Sequence, residues 1–223
     1  MVRYEMARKE KKMTVDLISY TKDAALLCGE AAAICTNASN TESAFCHAVD
    51  SGHTSILEHA VFTFKITGLS RAALAQLTRH RLASFDVQSQ RYVRLNDDYL
   101  VLPKTIIESQ FCEEAKRIMS YVMKLYQEMV DKGIPKEDAR YITPQAVSTE
   151  LIMTMNAREL LHFFALRTCN RAQWEIRELA DKMLMLCKQV SPKLFIVAGP
   201  GCVTGKCTEK KPCGKPRDIR DWE

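Results

Sequence analysis

The chain has 223 residues, 47% apolar and 26% charged, a balance that fits one large or two small globular domains able to bury a core without disulfides or metals. Its 32 basic and 27 acidic side chains leave a net charge of +5, which suits anionic small molecules but is too weak to argue for nucleic acid. No apolar run approaches the ~20 residues of a membrane span. The polar opening MVRYEMARKEKKMTV lacks a signal-peptide core, so a cytoplasmic protein with its nine cysteines mostly reduced is expected.

Thr21 to Cys35, TKDAALLCGEAAAIC, is Ala-rich and predicts a helix. A second helix is expected from Glu42 to Ser51, capped by Thr41 and closed by Gly52. Glu58 to Thr67, EHAVFTFKIT, alternates Val61, Thr63 and Lys65 against Phe62, Phe64 and Ile66, which is the period of a strand ended by Gly68. Ser70 then caps a short helix running through Gln76 toward Arg79. Short extended pieces are expected at Arg91 to Leu95 and Tyr99 to Leu102, around a polar Asn96-Asp97-Asp98 turn.

Ile107, Phe111, Ala115, Ile118, Val122, Leu125 and Met129 recur at steps of three and four, a long amphipathic helix stopped by Gly133 and Pro135. Lys136 to Ile142 is a short helix before Pro144, and Val147 to Met155 reads as a strand. Asn156 with Glu159 three residues on is a capping box opening another helix. The last long helix, from about Ala172 to Val190, shows Trp174, Leu179, Met183, Leu186 and Val190 on one face. From Gly199 the composition turns to Gly, Pro, Lys and Cys, and residues 199–223 are expected to form a poorly ordered tail on a single domain of residues 1–198. Without a βαβ rhythm, the fold class is α+β: a small, twisted, mostly antiparallel sheet packed with long helices.

Chemistry concentrates in RHRLASFDVQSQRY, residues 79 to 92. Arg forks bind carboxylates and phosphates bidentately. Two forks flanking a histidine, serine hydroxyls and a third fork suit a polyanion. A solvated helix end would explain an isolated RHR; the added S-x-Q-R-Y and the low local acidity favour the polyanion. Arg140, Arg158 and Arg167 stand near element ends, where each alone reads as a surface cation. His53 and His59 have only loose metal spacing, and His162 is remote from both. In the tail, Cys202, Cys207 and Cys213 lack a known zinc spacing and a fourth ligand, which Cys187 or a second subunit would have to supply; reduced thiols are the default reading. GPGCVTGK is not a P-loop, since no strand–loop–helix context surrounds it and no Ser or Thr follows the lysine.

The stretch from Arg79 to Tyr92 resembles the signature of the flavin-dependent thymidylate synthases, RHR-x-x-S-x-N-x-x-S-x-R-Y. Arg79, His80, Arg81, Ser84, Ser89, Arg91 and Tyr92 match it, and Asp86 stands where the signature usually has Asn. GHTSILEHAVFTF from Gly52 and NARELLHFFALRTCNRAQWE from Asn156 resemble two further blocks of the family, in its order and spacing.

The resemblance implies reductive methylation of deoxyuridine monophosphate (dUMP), with methylenetetrahydrofolate giving the carbon, NADPH the reducing equivalents and FAD the hydride. It further implies a homotetramer with active sites where subunits meet, and neither nucleic-acid nor membrane partners. It assigns Gln76, Arg79, Gln88, Ser89, Gln90, Arg91, Arg140 and Arg167 to dUMP, with Arg167 against the uracil ring as the catalytic residue. Ser55, Arg79, His80, Arg81, Asn156, Arg158 and His162 fall to the flavin, and no residue to a metal. Val87 stands where some relatives carry Glu, and His162 where some carry Asn. No cysteine is required; Cys169 alone falls inside the three blocks.

Overall fold

The computed structural model describes residues 12–95, 100–207 and 209–222. The elements up to the third strand are β1 (Thr14–Tyr20), α1 (Ala24–Thr36), α2 (Thr41–Asp50), a 3-10 turn at Thr54–His59, β2 (Val61–Ser70), α3 (Arg71–Leu77) and β3 (Ala83–Val87). There follow α4 (Lys104–Ile107), α5 (Cys112–Asp131), α6 (Lys136–Ala139), a 3-10 turn at Arg140–Ile142, β4 (Ser148–Asn156), α7 (Ala157–Arg167) and α8 (Trp174–Val190). The chain closes with α9 (Pro192–Phe195), α10 (Gly201–Thr204) and a 3-10 turn at Ile219–Trp222. The strands form one antiparallel sheet in the order β1-β2-β4-β3, so the α+β reading stands. Among the described residues no helix is long and apolar enough to cross a membrane.

The alternation of β2 survives in the structure: Phe62, Phe64 and Ile66 are buried while Val61 and Lys65 face out. Leu151, Met153 and Met155 do the same on β4. Gly68 does not end β2, as its residue type suggested. The strand passes through it at φ +77°, a conformation that strains any side chain with a Cβ, and continues to Ser70. The start also differs, because Glu58 and His59 belong to the preceding 3-10 turn.

Contacts divide the chain into two units: residues 1–14, 66–75 and 86–151, and residues 15–65, 76–85 and 152–223. In the first, Leu95, Met123, Tyr126, Ala139 and Val147 form a core flanked by Leu100, Met129 and Val130. The Tyr126 hydroxyl, buried there, accepts from the Leu95 amide at 3.2 Å. The expected long helix is broken: Ile107 ends α4, and α5 begins only at Cys112. Arg91 to Val93 form a turn rather than an extended piece, and Leu100 pairs with Val147 as an isolated bridge. The expected Asn96-Asp97-Asp98 turn and Tyr99 lie outside the described residues.

In the second unit, Phe62, Phe163, Phe164 and Phe195 pack edge to face at 5.3–5.9 Å between ring centroids. A Cβ at Gly29 would meet the Thr41 carbonyl oxygen at 2.6 Å, so α1 and α2 cross at a distance only glycine permits. Asn40, not Thr41, caps α2, accepting from the Ser43 amide at 2.9 Å. The buried stripe of α8 is Ile176, Leu179, Ala180, Met183, Leu184 and Cys187, rotated from the expected face so that Trp174, Leu186 and Val190 lie at its margin.

The tail departs most from expectation, for it is docked on α8. Trp222 is only 2% exposed, and its indole N–H donates to Asp181 at 2.8 Å. Arg217 donates both terminal nitrogens to the same carboxylate at 3.2 Å and stacks over the Trp222 ring at 4.5 Å. The Cys202 sulfur accepts from the Arg217 amide and the Cys213 sulfur from the Lys215 amide, both at 3.4 Å.

Candidate functional site

In the first unit, the end of the signature folds into a tight turn following β3. The Gln88 amide donates to the Glu150 carbonyl at 2.9 Å, closing β3 onto β4. Ser89 then organises the turn: its hydroxyl accepts from the Arg91 amide at 3.2 Å and its carbonyl from the Val93 amide at 2.9 Å. Gln90 shares this half-buried turn. Arg91 reaches Glu137 on α6 at 2.7 Å, three residues before Arg140, whose own Nε donates to the Glu137 carbonyl at 3.1 Å. Thus Gln88, Ser89, Gln90, Arg91 and Arg140, scattered over 53 positions of sequence, belong to one unit.

Arg71 belongs with them, although no motif singled it out. It opens α3, where the helix dipole disfavours a cation, so its placement there is itself a signal. One terminal nitrogen donates to the Gln88 carbonyl at 2.9 Å, while its buried Nε has no partner among the described residues. Burial, together with the nearby charge of Arg140, lowers the Arg71 pKa. Arg71, Arg91 and Arg140 thus gather around one turn, a set of cations suited to an anion.

In the second unit, α3 exits through tight turns from the Arg79 amide to the Gln76 carbonyl at 3.4 Å and from the His80 amide to the Leu77 carbonyl at 3.1 Å. Arg79 and Arg81 are exposed on either side of a buried His80. The His80 ring packs edge-on to Phe163 at 5.0 Å and to His162 at 5.9 Å, both on α7. Its Nδ1 lies 2.9 Å from the Glu159 carboxylate, and its Nε2 lies 3.1 Å from the Nε of Arg167. Burial pushes the His80 pKa down; Glu159 pulls it up, but Arg167 and His162 reinforce the burial. Arg167 is itself lowered by burial and then by the charge of Arg79.

Asn156 does cap α7, accepting from the Glu159 amide at 2.9 Å. Glu159 does not complete the capping box. Its side chain turns inward to His80, a role that the spacing pattern concealed. Arg158 forms an exposed ion pair with Glu58 of the 3-10 turn that also carries the exposed Ser55. Such a pair contributes about 0–1 kcal/mol, so Arg158 can leave Glu58 for a ligand at little cost.

A family profile described as thymidylate synthase complementing protein matches residues 16–193. A flavin-dependent thymidylate synthase of Geobacter sulfurreducens is 51% identical over 175 residues, 76% of this chain and 75% of the relative. One from Pyrococcus furiosus is 48% identical over 169 residues, covering 71% and 69%. Among solved structures, a UMP/dUMP methylase, PolB from Streptomyces cacaoi bound with 5-Br dUMP, superposes with a TM-score of 0.71 at 26% identity, covering 83% of this chain and 93% of that one.

Proposed function

The chain belongs to the flavin-dependent thymidylate synthase family, and on that premise we propose that it converts dUMP to dTMP with methylenetetrahydrofolate as carbon donor, NADPH as reductant and FAD as flavin. The observation that carries this reading is the gathering of cationic donors: Arg71, Arg91 and Arg140 around the Gln88–Ser89 turn in one unit, and Arg167 held on His80 between Arg79 and Arg81 in the other, each leaving a demand for a bound anion. A nucleotide phosphate and a dinucleotide pyrophosphate answer that demand.

The donor set fits a flavin dinucleotide. Arg79, Arg81 and His162 are exposed cations or donors, Ser55 offers a hydroxyl, and Arg158 is parked on Glu58. Asn156 spends its oxygen on the helix cap, which leaves its amide nitrogen to donate. Bound there, the flavin supplies the hydride chemistry that side chains lack.

The remaining work falls to the chain. Gln76, Arg79, Gln88, Ser89, Gln90, Arg91 and Arg140 bind the nucleotide, and Arg71 joins them by bracing the Gln88 carbonyl. Arg167 stabilises the negative charge that develops on the uracil ring. Its Nε is committed to His80, which leaves its two terminal nitrogens for the substrate. Ser89 binds rather than attacks, because its hydroxyl accepts from the Arg91 amide and no base adjoins it in the turn. The enzyme works in the cytoplasm as a homotetramer whose subunits share active sites. The test is direct: purified protein should show flavin absorbance, and dTMP should form only when dUMP, the folate, NADPH and flavin are all present. Light scattering should report four chains; an active monomer would refute the assembly.

A further inference from the structure

Glu159 is 7% exposed and His80 5%, and the acid meets a ring that Phe163 and His162 flank edge-on. Proton positions in this cluster follow from its chemistry. The Nε of arginine carries a hydrogen and can only donate. At 3.1 Å from it, Nε2 of His80 must therefore offer its lone pair. The ring proton is then on Nδ1, which donates to Glu159 at 2.9 Å. An imidazolium, or the opposite tautomer, would set N–H against N–H at Arg167.

We propose that Glu159 is a positioning residue, whose buried carboxylate fixes the His80 tautomer so that His80 in turn fixes the guanidinium plane of Arg167. The inference rests on the role assigned to Arg167 above. Among the described residues, the bond to His80 is the hydrogen bond that anchors the Arg167 side chain. Without Glu159 the ring is free to take the opposite tautomer or to turn over, and Arg167 loses its acceptor. The groups facing the ring are Glu159, His162 and Arg167 from α7, and Arg79 acts on Arg167 from the chain preceding it. Removing the Glu159 side chain leaves the helix cap untouched, because that bond uses its backbone amide.

Two measurements test this. In holoenzyme carrying 15N-labelled histidine, the His80 ring, assigned through His80→Gln, should show a protonated Nδ1 and a bare Nε2 at neutral pH. This readout is independent of turnover, so it survives even if the proposed reaction is wrong. In kinetics, Glu159→Ala should lower kcat roughly tenfold to a hundredfold, the scale of loss when the partner that orients a metal-ligating histidine is removed. KM for dUMP and flavin content per subunit should change much less. Glu159→Gln, whose amide oxygen still accepts from Nδ1, should recover most of kcat. Should Glu159→Ala fail to fold, Glu159→Met fills the volume without an acceptor and takes its place. A proton on Nε2 in the wild-type enzyme overturns the proposal, as does a kcat unaffected by losing the acceptor, or a Gln variant no better than the apolar one.

Discussion

Removing the Asp181 carboxylate should loosen the tail from α8. Asp181 accepts three hydrogen bonds there, two from Arg217 at 3.2 Å and one from the Trp222 indole at 2.8 Å. The Arg217 side chain is 13% exposed, so the substitution Asp181→Ala strands much of a buried cation. Breaking a buried ion pair costs roughly 3–5 kcal/mol. Two compensations reduce this: Arg217 keeps Asp221 at 2.5 Å and the Thr168 carbonyl at 3.2 Å, and the Asp181 side chain is itself 27% exposed. A net loss of about 2–3 kcal/mol follows. In a chain of this size that corresponds to a fall in Tm of about 5–10 °C. Thermal unfolding followed by tryptophan emission is the assay, in a Trp174→Phe background so that only Trp222 reports. Emission should shift to the red as the indole meets water, and Asp181→Asn, which keeps an acceptor for the indole, should lie between wild type and Ala. An unchanged midpoint with unchanged Trp222 emission would show that the carboxylate does not hold the tail.

Arg167→Ala should lower turnover by roughly 3–4 kcal/mol of transition-state stabilisation, whereas Ser89→Ala should mainly raise KM for dUMP; single-turnover flavin oxidation at saturating substrates separates them, and the reverse pattern would refute the assigned roles. Because burial lowers the His80 pKa, the folded state favours the neutral ring: its stability contribution is intact above the ordinary histidine value of 6.5 and declines as pH falls through the folded pKa. Denaturant midpoints between pH 7.5 and 5 should therefore fall in the wild type and flatten in His80→Gln; equal slopes would exclude His80 as the source. Truncation before Gly199 should leave turnover of the folded fraction within a few-fold while lowering Tm, and a turnover loss matching that of Arg167→Ala would place the tail in the chemistry.

Much of this was legible in the sequence because it is periodic. The alternation in Val61 to Ile66 and the i, i+3, i+4 spacing after Cys112 are consequences of one-sided burial, and residue type reports burial directly. Other features depend on partners far along the chain. β3 was hidden because its residues, ASFDV, carry a weak strand pattern and owe their conformation to pairing with β4. Glu159 sat where a capping box places it, and only the neighbouring His80, 79 positions away, shows that its side chain turns inward. The tail reads as loose by composition, yet Arg217 and Trp222 seat it through Asp181 on another element, and Asn170 and Arg171 donate to the Lys215 and Lys211 carbonyls. The signature, by contrast, identified its family in full, since it specifies chemistry rather than packing.

The pleat of β3 also sets how the signature can vary in length. Ala83, Phe85 and Val87 are half-buried while Ser84 and Asp86 face out, so the residue types of the signature alternate in step with the backbone. A substitution at an outward position alters one side chain. An insertion or deletion of a single residue between Ala83 and Val87 would turn every following side chain to the opposite face, or force a bulge to absorb it. The spacing between Arg81 and Ser89 is therefore expected to tolerate changes of letter far better than changes of count, and a library that randomises residues 82–88 at fixed length should retain folded members that a one-residue indel series does not.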